Sequence, residues 1–143
     1  MERMVDLKLQ ASNDTLYTVR DAIENALKGF GCPKAERTDI LMSVEELYTN
    51  IASYAYGGQR GDVAVQMDMI GDQRCRVTFV DHGIPYNPLE RKSPDITLSA
   101  QKREVGGLGI FMVKQMMDSV RYRFENGCNI LTIEKDIARE AKA

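Results

Sequence analysis

Three glycines in four residues, Gly106, Gly107 and Gly109, run directly into the apolar stretch Ile110-Phe111-Met112-Val113. Glycine at that density does not continue a helix, but it can begin one. A turn of this kind bares the first N–H groups of the helix, where the helix dipole favours an anion such as phosphate. The cluster is not a dinucleotide-binding G-x-G-x-x-G, because Met112 stands where the third glycine belongs and a loop precedes it. It is not a P-loop either, since Gly-Lys-Ser/Thr is missing. Alone, it reads equally as a flexible connection into a helix.

The rest of the chain alternates strand and helix patterns. Val5, Leu7 and Leu9 alternate as a short strand. After the capping candidates Ser12, Asn13 and Asp14, the residues Leu16, Val19, Ile23, Leu27 and Phe30 follow helical spacing. A second helix is expected from about Pro33 to Tyr56, with Ile40, Leu41, Val44, Leu47, Tyr48 and Ile51 as its stripe. Val63 to Met69 and Cys75 to Phe79 read as paired strands across a Gly71-Asp72 turn. No period appears from Asn87 to Glu104, and a loop of that length in a small domain is usually functional. A third helix from Leu108 to about Met117 follows, with Met112, Met116 and Met117 expected to fill core gaps. Two last strands flank Asn126-Gly127, and the charged tail 136–143 reads as helical or frayed.

Two further segments carry chemistry. Glu46 and Asn50 lie four apart, on one helix face that borders the apolar stripe. An amide oxygen from Asn50 suits Mg²⁺, which keeps most of its waters and takes few protein ligands. The Glu46 carboxylate could orient or deprotonate an attacking hydroxyl. By itself E-x-x-x-N is common on solvated helix faces. Asp81 ends a strand two residues before Gly83. A carboxylate there can accept from the exocyclic amine of adenine and repel the carbonyl of guanine, while Gly83 leaves room for a ring. The competing reading is a plain turn. His82 lines the pocket or faces solvent, and Lys102 and Arg103 are candidates to neutralise a terminal phosphate.

Composition narrows the alternatives. At 143 residues the chain suits one domain, and its 43% hydrophobic and 28% charged content is that of an ordinary globule. A net charge of −2 gives no support to general nucleic-acid or acidic-membrane binding. No apolar run nears the roughly 18–20 residues of a membrane span, and the start lacks the apolar centre of a signal peptide. Cys32, Cys75 and Cys128 have no metal-ligand spacing and read as reduced thiols in a cytoplasm. One histidine argues against a zinc site or a Ser-His-Asp triad.

The three segments Glu46 to Tyr56, Asp81 to Pro88 and Gly106 to Ile110, taken in order, resemble the motifs of the GHKL (Bergerat-fold) ATPases. Within that superfamily the chain looks like the stand-alone proteins related to anti-sigma-factor serine kinases. The resemblance covers nearly the whole chain. It implies an α+β, two-layer α/β sandwich: a mixed, mostly antiparallel sheet with helices on one face, in a single domain spanning 1–143. It implies ATP and Mg²⁺ as cofactors, Glu46 as the catalytic carboxylate and Asn50 as the metal ligand. Asp81 and Gly83 would bind adenine, Gly106, Gly107, Leu108 and Gly109 would contact phosphate, and about 87–105 would form a mobile lid. Two departures stand out: Tyr54 where many members carry His, and Cys128-Asn129 where many carry Gly-Thr, which weakens the assignment of an adenine contact there. The chain is also too short for the dimerisation and phosphoacceptor domain of a full sensor histidine kinase.

The expected function is a regulatory serine/threonine kinase that phosphorylates a small anti-anti-sigma-like protein and possibly holds a sigma factor. The alternative is an ATP-gated binding module with little turnover. The resemblance also suggests a homodimer, while the cysteines point to a cytoplasm and the charge to no direct nucleic-acid or membrane partner.

Overall fold

The computed structural model describes residues 2–71, 73–90 and 107–137, with the side chains of 107 and 108 excepted. Among these residues five strands form one sheet: β1 (Glu2–Gln10), β2 (Asp62–Ile70), β3 (Arg74–Asp81), β4 (Ser119–Glu125) and β5 (Cys128–Asp136). Their spatial order is β1-β2-β3-β5-β4. All pairings among the described residues are antiparallel, so the mixed sheet that the resemblance implies is here wholly antiparallel. Among the described residues three α-helices pack on one face: α1 (Leu16–Phe30), α2 (Lys34–Tyr54) and α3 (Gly107–Met116). The result is the expected two-layer α+β architecture.

Each element follows from its residues. Helix α1 buries Val19, Ile23, Leu27 and Phe30, one stripe at helical spacing. It ends at Gly31, whose φ of 90° lets its N–H and that of Cys32 turn back onto the last carbonyls. Pro33, with φ fixed near the helical value, then opens α2. Helix α2 buries a wider arc, including Ser43 and Asn50, because it meets the sheet, α1 and α3 at once. In α3 the buried positions are Ile110, Val113 and, just past its end, Met117. Met112 is exposed, contrary to the core role expected for it, since it sits on the opposite side of that stripe.

Strand parity decides which face each side chain takes. β3 alternates without a break, so Cys75, Val77, Phe79 and Asp81 all point toward the helices. In β5 the inward positions Asn129, Leu131 and Ile133 continue the core. The two-residue turn Asn126-Gly127, with φ of 54° and 77°, joins β4 to β5 as expected. Gly71 has a positive φ of 63° in the other hairpin, while Asp72 lies outside the described residues. So does 138–143, the greater part of the charged tail.

The sheet face away from the helices is held by charge. Glu134 is only 5% exposed and accepts from Arg74 Nε (2.6 Å), Arg76 Nε (3.1 Å) and Arg121. Arg74 also reaches Asp136 at 2.7 Å. Burial opposes the charged form of Glu134, but the arginine hydrogen bonds and charges outweigh it and hold the carboxyl below its ordinary value. A depressed carboxyl contributes stability above its unfolded pKa, and that contribution is lost as pH falls through the native one. Glu134→Gln is expected to cost about 2 kcal/mol at neutral pH, the scale of charge-assisted hydrogen bonds. Denaturant melts from pH 7 to pH 3 should show the gap between wild type and variant closing below about pH 4.

Candidate nucleotide site

The C-terminal half of α2 gathers the three sequence segments. Asn50 is 9% exposed and donates from Nδ2 to Glu46 Oε1 at 3.2 Å. Committing a donor to Glu46 orients the amide and leaves its carbonyl oxygen as the end suited to a cation. Glu46 in turn meets the start of α3. A Cβ added at Gly109 would fall on the Glu46 carboxylate, so the bare glycine is what lets the acid lie against that helix's first turn. The predicted acid and the predicted glycine cluster are therefore in contact.

The second junction is backbone on backbone. A Cβ at Gly83 would run into the carbonyl of Ala55, at the C-terminal end of α2. The next residue seals the contact, since Ile84 N–H donates to that same carbonyl at 2.8 Å. The exit of β3 thus crosses the end of α2 and brings Asp81 to within the same cleft as Asn50. Asp81, Asn50, Leu47, Ile51, Tyr86 and Asn129 are among the walls of an apolar pocket of about 30 Å³. That enclosed space is on the scale of a water, and the pocket opens to solvent beyond it. The rings of Tyr54 and Tyr86 stand there, 6.4 Å apart and tilted by 45°.

Asp81 is 4% exposed, and its Oδ1 accepts from Gly83 N and from Asn129 Nδ2, both at 2.9 Å. Both bonds fall on one oxygen and leave Oδ2 as the acceptor for a ligand. The Asn129 amide also donates to Ile84 O at 2.9 Å, while its oxygen accepts from Tyr86 N at 3.2 Å and from the Tyr122 hydroxyl. Burial raises the pKa of the Tyr122 hydroxyl, which keeps it a donor at neutral pH. Sequence reasoning passes over Asn129 as a weak point. The available signal is an amide on the inward, otherwise apolar parity of the last strand.

Other expected members lie elsewhere. His82 is exposed, and its Nδ1 lies 3.4 Å from Cys128 Sγ on the outer side of the strand pair. Gly107 opens α3, whereas Gly106, Lys102 and Arg103 lie outside the described residues, as does the side chain of Leu108. Most of the expected lid, 91–105, is likewise outside them. Its entry is described: Pro88–Glu90 forms a 3₁₀ turn, capped by Asn87 Oδ1 accepting from Leu89 N at 2.9 Å. Lys114 of α3 donates to Leu89 O at 2.9 Å, so the entry to the segment is anchored on the helix that follows it.

The donor set fits a nucleotide with magnesium. Asp81 and Asn50 line one apolar slot, the Glu46 carboxylate is hydrogen-bonded to Asn50, and α3 begins beside Glu46. No three His, Cys, Asp or Glu side chains gather as a metal cage among the described residues. Mg²⁺ bound by one or two side chains plus phosphates needs no such cage. No helix among the described residues is long and apolar enough to cross a membrane.

Comparison with known proteins agrees with this geometry. Residues 9–135 match the model of the histidine kinase-like ATPase domain, and the chain belongs to that family. It is 26% identical over 146 residues to the serine-protein kinase RsbW of a Bacillus cereus strain, covering 98% of this chain and 90% of that one. It is 24% identical to the RsbW of Listeria monocytogenes serovar 1/2a, covering 100% and 96% of the two chains. Among solved structures it is similar in fold to the RsbU and RsbW domains of a Mycobacterium tuberculosis protein. There the TM-score is 0.64 at 18% identity, over 96% of this chain and 34% of that longer one. The mycobacterial sensor histidine kinase MprB gives a TM-score of 0.54 at 15% identity, over 94% of this chain and all of that one.

The two glycine contacts separate stability from chemistry. At Gly83 the obstacle is backbone, so Gly83→Ala is expected to lose about 1–3 kcal/mol, as overpacking does. At Gly109 the obstacle is the far end of a flexible side chain. Gly109→Ala is expected to hold stability within about 1 kcal/mol, because alanine favours the helix, while displacing the Glu46 carboxylate. Denaturant melts check the two stabilities. A crystal structure of the second variant shows where Glu46 has gone.

Proposed function

We propose that this member of the histidine kinase-like ATPase family is an ATP-dependent serine/threonine kinase acting on a small anti-anti-sigma-like protein. The observation that carries the reading is the Glu46 carboxylate set against Gly109 at the start of α3 and hydrogen-bonded to Asn50, which lines the same pocket as Asp81. A protein that merely holds nucleotide has no use for a carboxylate placed between a metal-suited amide and a phosphate-suited helix start. The names of the relatives, serine-protein kinases, support the same reaction class.

In this reading the whole chain is one ATPase domain with its lid at about 87–105. Asp81 accepts from the adenine amine and Gly83 leaves space for the ring. Bound magnesium spreads positive charge over the phosphate oxygens, and Asn50 is the ligand the chain offers it. Backbone N–H groups at Gly106, Gly107, Leu108 and Gly109 receive the phosphates, as helix starts do. Glu46 takes the proton from the acceptor hydroxyl as that oxygen attacks the terminal phosphorus and ADP leaves. A sigma factor that competes with the phosphoacceptor for the same protein completes the proposal, along with a cytoplasmic homodimer.

Two variants test it. Asp81→Asn should weaken ATP binding by about tenfold or more, the worth of a charge-assisted hydrogen bond. Glu46→Gln keeps the shape and removes the basicity. It should leave ATP affinity within a few-fold, yet cut transfer from labelled ATP to the acceptor by roughly 10²–10⁴, the usual range for a positioned base. A wild type that transfers nothing, while ATP still alters its hold on a partner and Glu46→Gln behaves identically, replaces the kinase with an ATP-gated binding module.

A further inference from the structure

We propose that Asn129 is a positioning residue that sets base selectivity: it fixes Asp81 by one carboxylate oxygen, so that only the other meets the purine. The inference rests on the nucleotide reading of the cleft given above and adds to it a residue that need not touch the nucleotide.

Register and parity place it. Asp81 and Asn129 are direct partners across the β3–β5 pair, both inward-facing, 4% and 6% exposed. A side-chain amide has two donor hydrogens and an oxygen with two lone pairs. Here all are used: Nδ2 donates to Asp81 Oδ1 and Ile84 O, and Oδ1 accepts from Tyr86 N and Tyr122 Oη. Nothing is left over for a ligand, so Asn129 acts through Asp81 rather than on the base.

The same four partners fix which way the amide points. Rotating it by half a turn would set its oxygen against the Asp81 carboxylate and the Ile84 carbonyl. Its hydrogens would then face the Tyr86 N–H. The orientation is therefore dictated by the network. Asp81 in turn has its Oδ1 occupied by Gly83 N and Asn129 together, one from each side of the strand end. A carboxylate so held cannot turn to offer its oxygens at other angles. A 6-amino purine donates to Oδ2, whereas a 6-oxo purine presents an acceptor to an acceptor. Without Asn129 the carboxylate gains a rotation, and both the preference and the penalty shrink. The amide also ties Ile84 and Tyr86 to the same point, so the wall at the pocket mouth and the base-reading carboxylate are set as one unit.

The test uses the full chain with magnesium and three nucleotides: ATP, inosine triphosphate (6-oxo) and purine riboside triphosphate (no 6-substituent). Dissociation constants are measured by calorimetry for wild type, Asn129→Ala, Tyr122→Phe, Asp81→Asn and the Asn129→Ala/Asp81→Asn double variant. Asn129→Ala should lose ATP affinity about tenfold while changing purine riboside triphosphate by less than about threefold, so the ratio between them collapses. Tyr122→Phe leaves Asn129 in place with one donor fewer and should move the ratio the same way by less. The double variant should bind ATP no worse than Asp81→Asn alone, because both changes remove one interaction. Equal losses for all three nucleotides, or additive losses in the double variant, overturn the inference and leave the ATP site standing. Should Asn129→Ala fail to fold by circular dichroism, an unchanged ratio in Tyr122→Phe overturns it instead. A wild type that binds none of the three overturns the nucleotide reading and this inference with it.

Discussion

At two points on α2 the chain comes so close that a single added methyl group would not fit. One is Gly83 over the Ala55 carbonyl, the other Gly109 over the Glu46 carboxylate. These approaches convert a layered sandwich into a cleft. The first fixes where β3 ends relative to α2, and hence where Asp81 sits. The second lets the Glu46 carboxylate lie against the first turn of α3. The apolar stripe of α2 supplies the force that holds both: Ile40, Val44, Leu47 and Tyr48 are all fully buried. At about 25 cal/mol per Å² of buried apolar surface, such side chains dominate the stability of a domain this size. Glu46 and Asn50 lie on the same helix, each one position before a buried residue of the stripe, and so inherit its rigidity.

The sheet divides its labour between its faces. The inward face is apolar except at the strand ends, where Asp81 and Asn129 stand opposite each other. The outward face carries Arg74, Arg76 and Arg121 around the nearly buried Glu134, with Arg3 paired to Asp68 at 2.9 Å farther along. A buried carboxylate with too few donors would destabilise the fold, but one ringed by three guanidinium groups is satisfied. The arginine ladder stabilises the strand pairs β3–β5 and β4–β5. Those are the pairs that set the register of Asp81, Asn129 and Tyr122. Charge on one face thus determines geometry on the other, through strand register alone.

Much of this is legible in the residues themselves. Helical spacing locates α1 and α2, alternation locates the strands, and Asn126-Gly127 announces its hairpin. Glu46, Asn50, Asp81 and Gly109 stand out because each is the residue type its chemistry needs. What the residues do not carry is adjacency between distant strands. Nothing in the sequence says that β5 inserts between β3 and β4, so nothing pairs Asp81 with Asn129. Along the chain, Cys128-Asn129 is only a departure from Gly-Thr. Met112 fails for a different reason: an α3 this apolar has no polar face by which to phase it, and packing on α2 selects Ile110 and Val113.

The departure at Asn129 has a physical meaning once the register is known. A threonine hydroxyl offers one donor and could satisfy Asp81 Oδ1, but it would have nothing left for the Ile84 carbonyl. Its oxygen can accept, but its single hydrogen serves only one acceptor. The asparagine has two donor hydrogens and uses them on Asp81 and Ile84, while its oxygen accepts from Tyr86 N and Tyr122 Oη. The change therefore adds a donor to a junction that binds β3, β4, β5 and the chain leading out of the pocket. Such a junction is rigid because both polar atoms of the nearly buried Asn129 amide are fully paired, where an unpaired one would cost about 1–3 kcal/mol. Through it the backbone of Tyr86, which lines the pocket, is tied to the same amide that holds Asp81.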